Sequence, residues 1–200
     1  MSEAAAVEGL GLLLHYENIT KRMTGADITA SDIAAEEDLF QSALTIRRGL
    51  SDEPGAALPL FGLGLVAQVL RHDWETAIAC FREALALVEA TPDAIDLYTQ
   101  SEVYRHVGFY YAVEDVRPNE AVRFLQRSLD LRVRLGDPRR IPSGLEALGE
   151  AELAAGNTVR GLELLERAVA EARAAGLLPT RIEIAERILE EAKAATASAT

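Results

Sequence analysis

Three side chains close together in the sequence have the chemistry to handle a proton or an ion: Glu102, Arg105 and His106. On a helix Glu102 and His106 stand one turn apart. The carboxylate can then orient the imidazole, and histidine is the side chain suited to exchanging protons near neutral pH. The plainer account, a Glu–His pair on a helix surface worth about 0.2–0.5 kcal/mol, is preferred. Other reactive patterns are sparse. His15, His72 and His106 are widely separated, and no H-E-x-x-H is present to hold zinc. The single Cys80 excludes an internal disulfide and a cysteine-based zinc site; beside Phe81 it reads as a small packed residue. Neither G-x-S-x-G nor G-x4-G-K-[ST] occurs, so no catalytic residue, metal or cofactor is assigned. The aromatic run Tyr98, Tyr104, Phe109, Tyr110 and Tyr111 reads mainly as packing at Tyr104 and Tyr111, with Phe109 and Tyr110 open to a ligand.

These residues belong to a chain of 200 residues that is 49% hydrophobic, enough to bury a core. Its net charge of −12 argues against unspecific nucleic-acid or anionic-membrane binding. No run approaches the roughly 18 uninterrupted apolar residues of a membrane span. The apolar patch Gly9–Leu14 follows Glu3 and Glu8 rather than a basic leader, so a cytoplasmic location is expected. Residues 1–115 hold 7 basic and 19 acidic side chains, and residues 116–200 hold 13 of each. Arginines bunch between Arg117 and Arg140. They read as a solvated face with local pairs such as Asp130–Arg134. The alternative is a homodimer in which the acidic half meets the arginine stretch.

The elements that place these residues repeat. Leu60-x2-Leu63-Gly64 is followed by Ala77-x3-Phe81-x2-Ala84-Leu85. Tyr104-x2-Val107-Gly108 precedes Ala121-x3-Leu125-x2-Ser128-Leu129, and Leu145-x2-Leu148-Gly149 precedes Gly161-x3-Leu165-x2-Ala168-Val169. A fainter copy pairs Val7-x2-Leu10-Gly11 with Phe40-x2-Ala43-Leu44. Gly64, Gly108 and Gly149 are 44 and 41 residues apart, and each lies 12 or 13 residues before the small residue opening its second half. Apolar residues within each half recur at helical spacing, as in Ile78, Phe81, Leu85 and Val88, with turn signals between the halves. A mid-helix glycine costs about 1 kcal/mol relative to alanine, so its recurrence predicts close approach of a neighbouring backbone. Helical pairs of this kind bury their faces only by stacking.

These repeats resemble the tetratricopeptide (TPR) family through the L-G pair and A-x3-F-x2-A. Their longer period resembles the extended repeats in the sensor regions of large bacterial transcriptional activators. The resemblance implies an all-α chain, a TPR-like solenoid or α-α superhelix forming a single domain over 1–200. It has about four helical pairs (4–50, 55–90, 93–135 and 139–175) and a capping helix over 179–194. In that cap Arg181 is expected to face water. The family's function implies a non-catalytic adaptor that binds a protein or peptide partner in a concave groove. Its groove-facing positions fall on Leu58, Phe61, Leu65 and Gln68, then Glu102, Arg105 and Phe109, then Glu146 and Glu150. Glu8, Leu12, His15 and Tyr16 extend the wall in the first pair. His106 would face space left by Gly62 and Ala147. An alternative occupant is a small apolar ligand with a polar head, sensed or processed around Glu102, Arg105 and His106.

Overall fold

A computed structural model describes residues 2–198, and among them the secondary structure is helical, without strands. Helices α1 (Glu3–Met23) and α2 (Ala30–Gly49) are followed by α3 (Ala57–Leu65) and α4 (Trp74–Ala90). Then come α5 (Leu97–Val113), α6 (Pro118–Leu135), α7 (Ile141–Ala154), α8 (Thr158–Ala174) and α9 (Pro179–Ser198). The order is that of an all-α helical-repeat fold. Local sequence chemistry sets the boundaries. Thr29 and Asp32 form a reciprocal capping box at the start of α2, and Asp73 accepts from the Thr76 amide to start α4. Gly136 ends α6 at φ 74°, a conformation that suits glycine. The contacts divide the chain into two compact units, Met1–Thr99 and Gln100–Thr200.

In the first unit the ring of Phe40 on α2 is fully buried, in a slot made by two glycines. A Cβ at Gly11 on α1 would lie 2.8 Å from the ring, and one at Gly62 on α3 would lie 2.3 Å from it. Gly62 is therefore filled space, not the vacancy foreseen in front of His106; the Phe40 ring of the preceding α-helix occupies it. The repeated glycines behave alike. Gly64 receives Phe81, and in the second unit Gly108 receives Leu125 and Gly149 receives Leu165. What approaches them is chiefly the large residue of the second helix, with backbone also close at Gly108, where Leu125 N would lie 3.2 Å from an added Cβ, and at Gly149, where the Gly161 carbonyl oxygen would lie at 3.1 Å. The small positions facing them, Ala77, Ala84, Ala121 and Ala168, have no exposed surface.

Helix α3 runs on into a π-helical stretch, Val66–Arg71, closed by His72 at φ 56°. Arg22 of α1 donates to the Val69 carbonyl and lies 2.8 Å from His72 Nε2, so the wide turn is tied to α1. The run Pro54–Arg71 reaches a mean hydropathy of 1.3 over 18 residues, enough by length and composition to cross a membrane. Over half of it is buried in the protein, with Phe61 against Phe81 at 5.9 Å, which is the setting of a core helix. Helix α1 inverts the usual pattern. It buries Glu8, His15 and Asn18, while Leu10 and Leu13 are 54% and 66% exposed.

Gly9 stands on the open side of α1, where an added Cβ would meet nothing within 4 Å. Gly9→Ala is expected to stabilise the protein by about 0.8–1 kcal/mol, the helix-propensity difference. A urea titration should show a higher midpoint at unchanged slope. A fall in the midpoint would mean that this face is packed.

In the second unit the cores run between consecutive helices. Leu125, Leu129, Leu145 and Leu148 form one cluster, and Leu165, Val169, Ala185 and Leu189 join α8 to α9. Two charges have partners other than those expected. Arg181 of α9 turns back to hold Glu146 of α7 through two contacts, 2.9 and 2.7 Å, because that carboxylate is otherwise buried. Asp130 accepts from Gln126 at 2.8 Å, in place of the expected pair with Arg134.

Candidate functional site

Helices α5, α6 and α7 enclose an apolar pocket of about 270 Å³ in the second unit. Its wall is built from short side chains: Ala112 on α5, Ala121 on α6, and Ala147 and Ala151 on α7, with Leu125 behind and the Phe109 ring at one side. The short side chains on the three helices leave the space between them unfilled. Glu150, on the exposed side of α7, supplies the charged rim.

The polar groups around this pocket are distributed unequally. Arg132 is 3% exposed; it donates to Glu102 at 2.7 Å, to Ser143 Oγ at 2.9 Å and to the Arg140 carbonyl at 3.0 Å. Arg181 takes Glu146. The two acidic residues nearest Arg105 are thus each held by another guanidinium. Arg105 itself donates to the Ser143 carbonyl at 3.1 Å and lies over the Phe109 ring, 5.3 Å from its centroid. Burial, reinforced by the nearby Arg132 charge, pulls its pKa down to about 10; Glu102 and Glu146 offset part of that. Although Glu150 is exposed, partial desolvation by the surrounding helices pushes its carboxyl above its ordinary range, Glu146 adds to this, and Arg105 opposes it.

Of the residues expected to form a binding surface, Phe109 and Glu150 line this pocket, Arg105 stacks on the Phe109 ring, and Glu102 and Glu146 are buried in ion pairs. His106 is half-buried on α5. Glu102, expected to orient His106, accepts instead from Arg132 across the helix pair. In the first unit Phe61 and Leu65 are interior, 1% and 6% exposed, which corrects their placement on an open wall. The apolar α3 has core on both sides, since it carries Phe61 against Phe81 and Gly62 against Phe40. Leu58 and Gln68 are half-buried; Leu58 lines a separate, polar pocket with Arg47, Glu8 and Asp52.

Glu8 and His15 are likewise not wall residues. Both Glu8 oxygens accept from Arg47, at 2.8 and 2.9 Å, and His15 Nδ1 lies 2.6 Å from Glu36. Leu12 is half-buried, and Tyr16 remains exposed with its hydroxyl 3.2 Å from that of Tyr98.

Sequence reasoning missed Arg132, the buried guanidinium that holds Glu102. The available signal was its place on the apolar stripe Val122–Leu125–Leu129–Arg132, where a charge must be buried and therefore paired. The rest of the arginine stretch is largely neutralised locally. Arg117 pairs with Asp115, Arg123 with Glu120 and Arg139 with Asp137, while Arg127 stacks on Tyr104. Among the described residues no three His, Cys, Asp or Glu side chains converge as metal ligands. Burial raises the Cys80 thiol, which disfavours the reactive thiolate.

No protein-family model matches the chain. The chain is 28% identical over 183 residues to a curated protein of Trypanosoma brucei brucei named tetratricopeptide repeat protein 29. That alignment covers 88% of this chain and 38% of the relative, so the chain spans well under half of that protein's length. Together with the all-helical repeat architecture, the likeness supports a TPR-like protein.

Proposed function

We propose that the chain is a non-catalytic adaptor whose second unit holds a segment of a partner protein against the pocket between α5, α6 and α7. The observation that carries this reading is the pocket itself: a preformed apolar recess of about 270 Å³ with an aromatic side and a charged rim. Such a recess suits an anchoring side chain at the centre of a small interface. Of the acidic residues near it, Glu102 and Glu146 are held in structural ion pairs by Arg132 and Arg181.

The test is to place a photo-crosslinking amino acid at Ala154, on the exposed rim, and to map adducts by mass spectrometry. One recurring segment of one protein is the expected product. Its yield should fall about tenfold or more in a Phe109→Ala background, as for loss of an aromatic anchor, while the melting transition is kept. Adducts scattered over many proteins, or a recurring adduct indifferent to Phe109→Ala, would overturn the assignment. Phe61→Ala is not an equivalent probe, because Phe61 is interior and its truncation reads out folding.

A further inference from the structure

The geometry points to the identity of the anchoring side chain: we infer that the recess between α5, α6 and α7 takes a lysine of the partner segment, its alkyl stem lying on the apolar walls and its ammonium meeting Glu150 at the rim. This rests on the adaptor reading and names the chemistry of its anchor.

The first reason is the charge of the lining. Of the residues that form the recess Glu150 alone is charged, and the rest are apolar, among them Phe109, Ala112 and Val113. Buried carboxylates elsewhere in the second unit take guanidinium partners from other helices: Arg132 holds Glu102, Arg181 holds Glu146 and Arg160 holds Glu152. Glu150 has no hydrogen bond or ion pair among the described residues, although the surrounding helices already remove part of its water. Where water is partly excluded, opposite charges attract more strongly than on an open surface. The rim therefore carries an uncompensated negative charge at the edge of an apolar hollow.

The second reason is the combination of depth and edge. A leucine would fill the hollow and bring nothing to Glu150. Lysine lays four methylenes along apolar surface while its compact head stays at the wet margin. Val113 and Ala154, both exposed, belong to the mouth of the recess, so stem and head can occupy depth and rim together.

Arg105 is the group that opposes a cation here. It is stacked on the Phe109 ring and bonded to the Ser143 carbonyl, and it is not among the lining residues. An occupant touches Glu150 and not Arg105. Glu146 and Glu191 add negative charge around Glu150, and Arg105 offsets part of it. The attraction and the opposition are separable by mutation.

The experiment is an NMR titration of the full chain with three blocked peptides that differ in one side chain. They are acetyl-Ala-Lys-Ala-amide, its norleucine counterpart, which keeps the stem and lacks the amine, and its Glu counterpart. The Lys peptide should bind about fivefold more tightly than the norleucine peptide, and the Glu peptide most weakly, with shifts at the amides of Phe109, Ala112 and Ala151. Added salt should narrow the Lys-to-norleucine ratio. Glu150→Gln should erase the ratio with the melting transition kept, and Arg105→Gln should widen it. Ala112→Leu, which fills the recess and leaves Glu150 in place, should abolish binding of both peptides. Equal binding of the Lys and norleucine peptides, tighter binding of the Glu peptide, or a Lys preference that survives Glu150→Gln would overturn the inference. So would the absence of any shift with the Lys peptide at millimolar concentration. A recurring adduct from Ala154 in a segment without lysine would leave the adaptor reading standing and this inference fallen.

Discussion

Replacing Arg132 by methionine lowers the stability of the protein by about 3–5 kcal/mol, the cost of breaking a buried ion pair from one side. Arg132 is 3% exposed, and its guanidinium serves Glu102, Ser143 and the Arg140 carbonyl together. Methionine keeps most of the stem's packing against Gly144, whose added Cβ would lie 3.5 Å from Arg132 Cδ. It leaves the Glu102 carboxylate, itself 8% exposed, with only Arg140 at 3.9 Å. The loss is thus one of charge compensation more than of volume. Adding Glu102→Leu to Arg132→Met should recover most of the stability, since an apolar pair can replace a buried ionic one at little cost. Denaturant unfolding of both single variants and the double variant measures the coupling. A single-variant loss below about 1 kcal/mol, or a double variant no better than the single, would remove Arg132 as the hub of the second unit.

Phe40→Ala is the second large effect, with an expected loss of about 3–5 kcal/mol. The ring has no exposed surface and fills the slot between Gly11 and Gly62, so its removal leaves a void lined by two backbones with no side chains to collapse into it. Gly62→Ala probes the same contact from the other side. Its Cβ would lie 2.3 Å from the ring, and the overpacking, about 1–3 kcal/mol, outweighs the helix-propensity gain of about 1 kcal/mol when the ring cannot move. Combining Gly62→Ala with Phe40→Leu should be milder than the sum of the two. Thermal or denaturant melts decide this. Losses that simply add would mean that ring and glycine do not share one contact.

Much of the fold was legible because its signals are local. Gly64, Gly108 and Gly149 recur with the second-helix residues that enter them, and Phe40 stands in the faint copy where Phe81 and Leu125 stand in the clear ones. The candidate site was legible only in part. Arg105, Phe109, Glu146 and Glu150 were named from the repeat register. Their pairing was not, because Glu102 meets Arg132 across 30 residues and Glu146 meets Arg181 across 35. No periodic pattern records which of several nearby acids a given arginine selects. Phe61 illustrates the complementary limit: repeat position alone does not distinguish an open wall from an interior one, and the near-continuous apolar character of α3 was the better indicator. In α1, position suggested exposure for Glu8 and His15, whereas the opposing Arg47 and Glu36 on α2 draw both inward.

That inverted helix has a consequence for how the array's first pair finds its alignment. Apolar faces tolerate sliding, since one leucine substitutes for another along a groove. The α1–α2 seam is keyed instead by Glu8 to Arg47 at one end and by His15 and Asn18 to a single Glu36 toward the other. A shift of one turn would orphan each of these groups in a dry interior. The seam therefore discriminates against near-miss docking far more sharply than its modest grease content would, and works as a lock with one fitting notch.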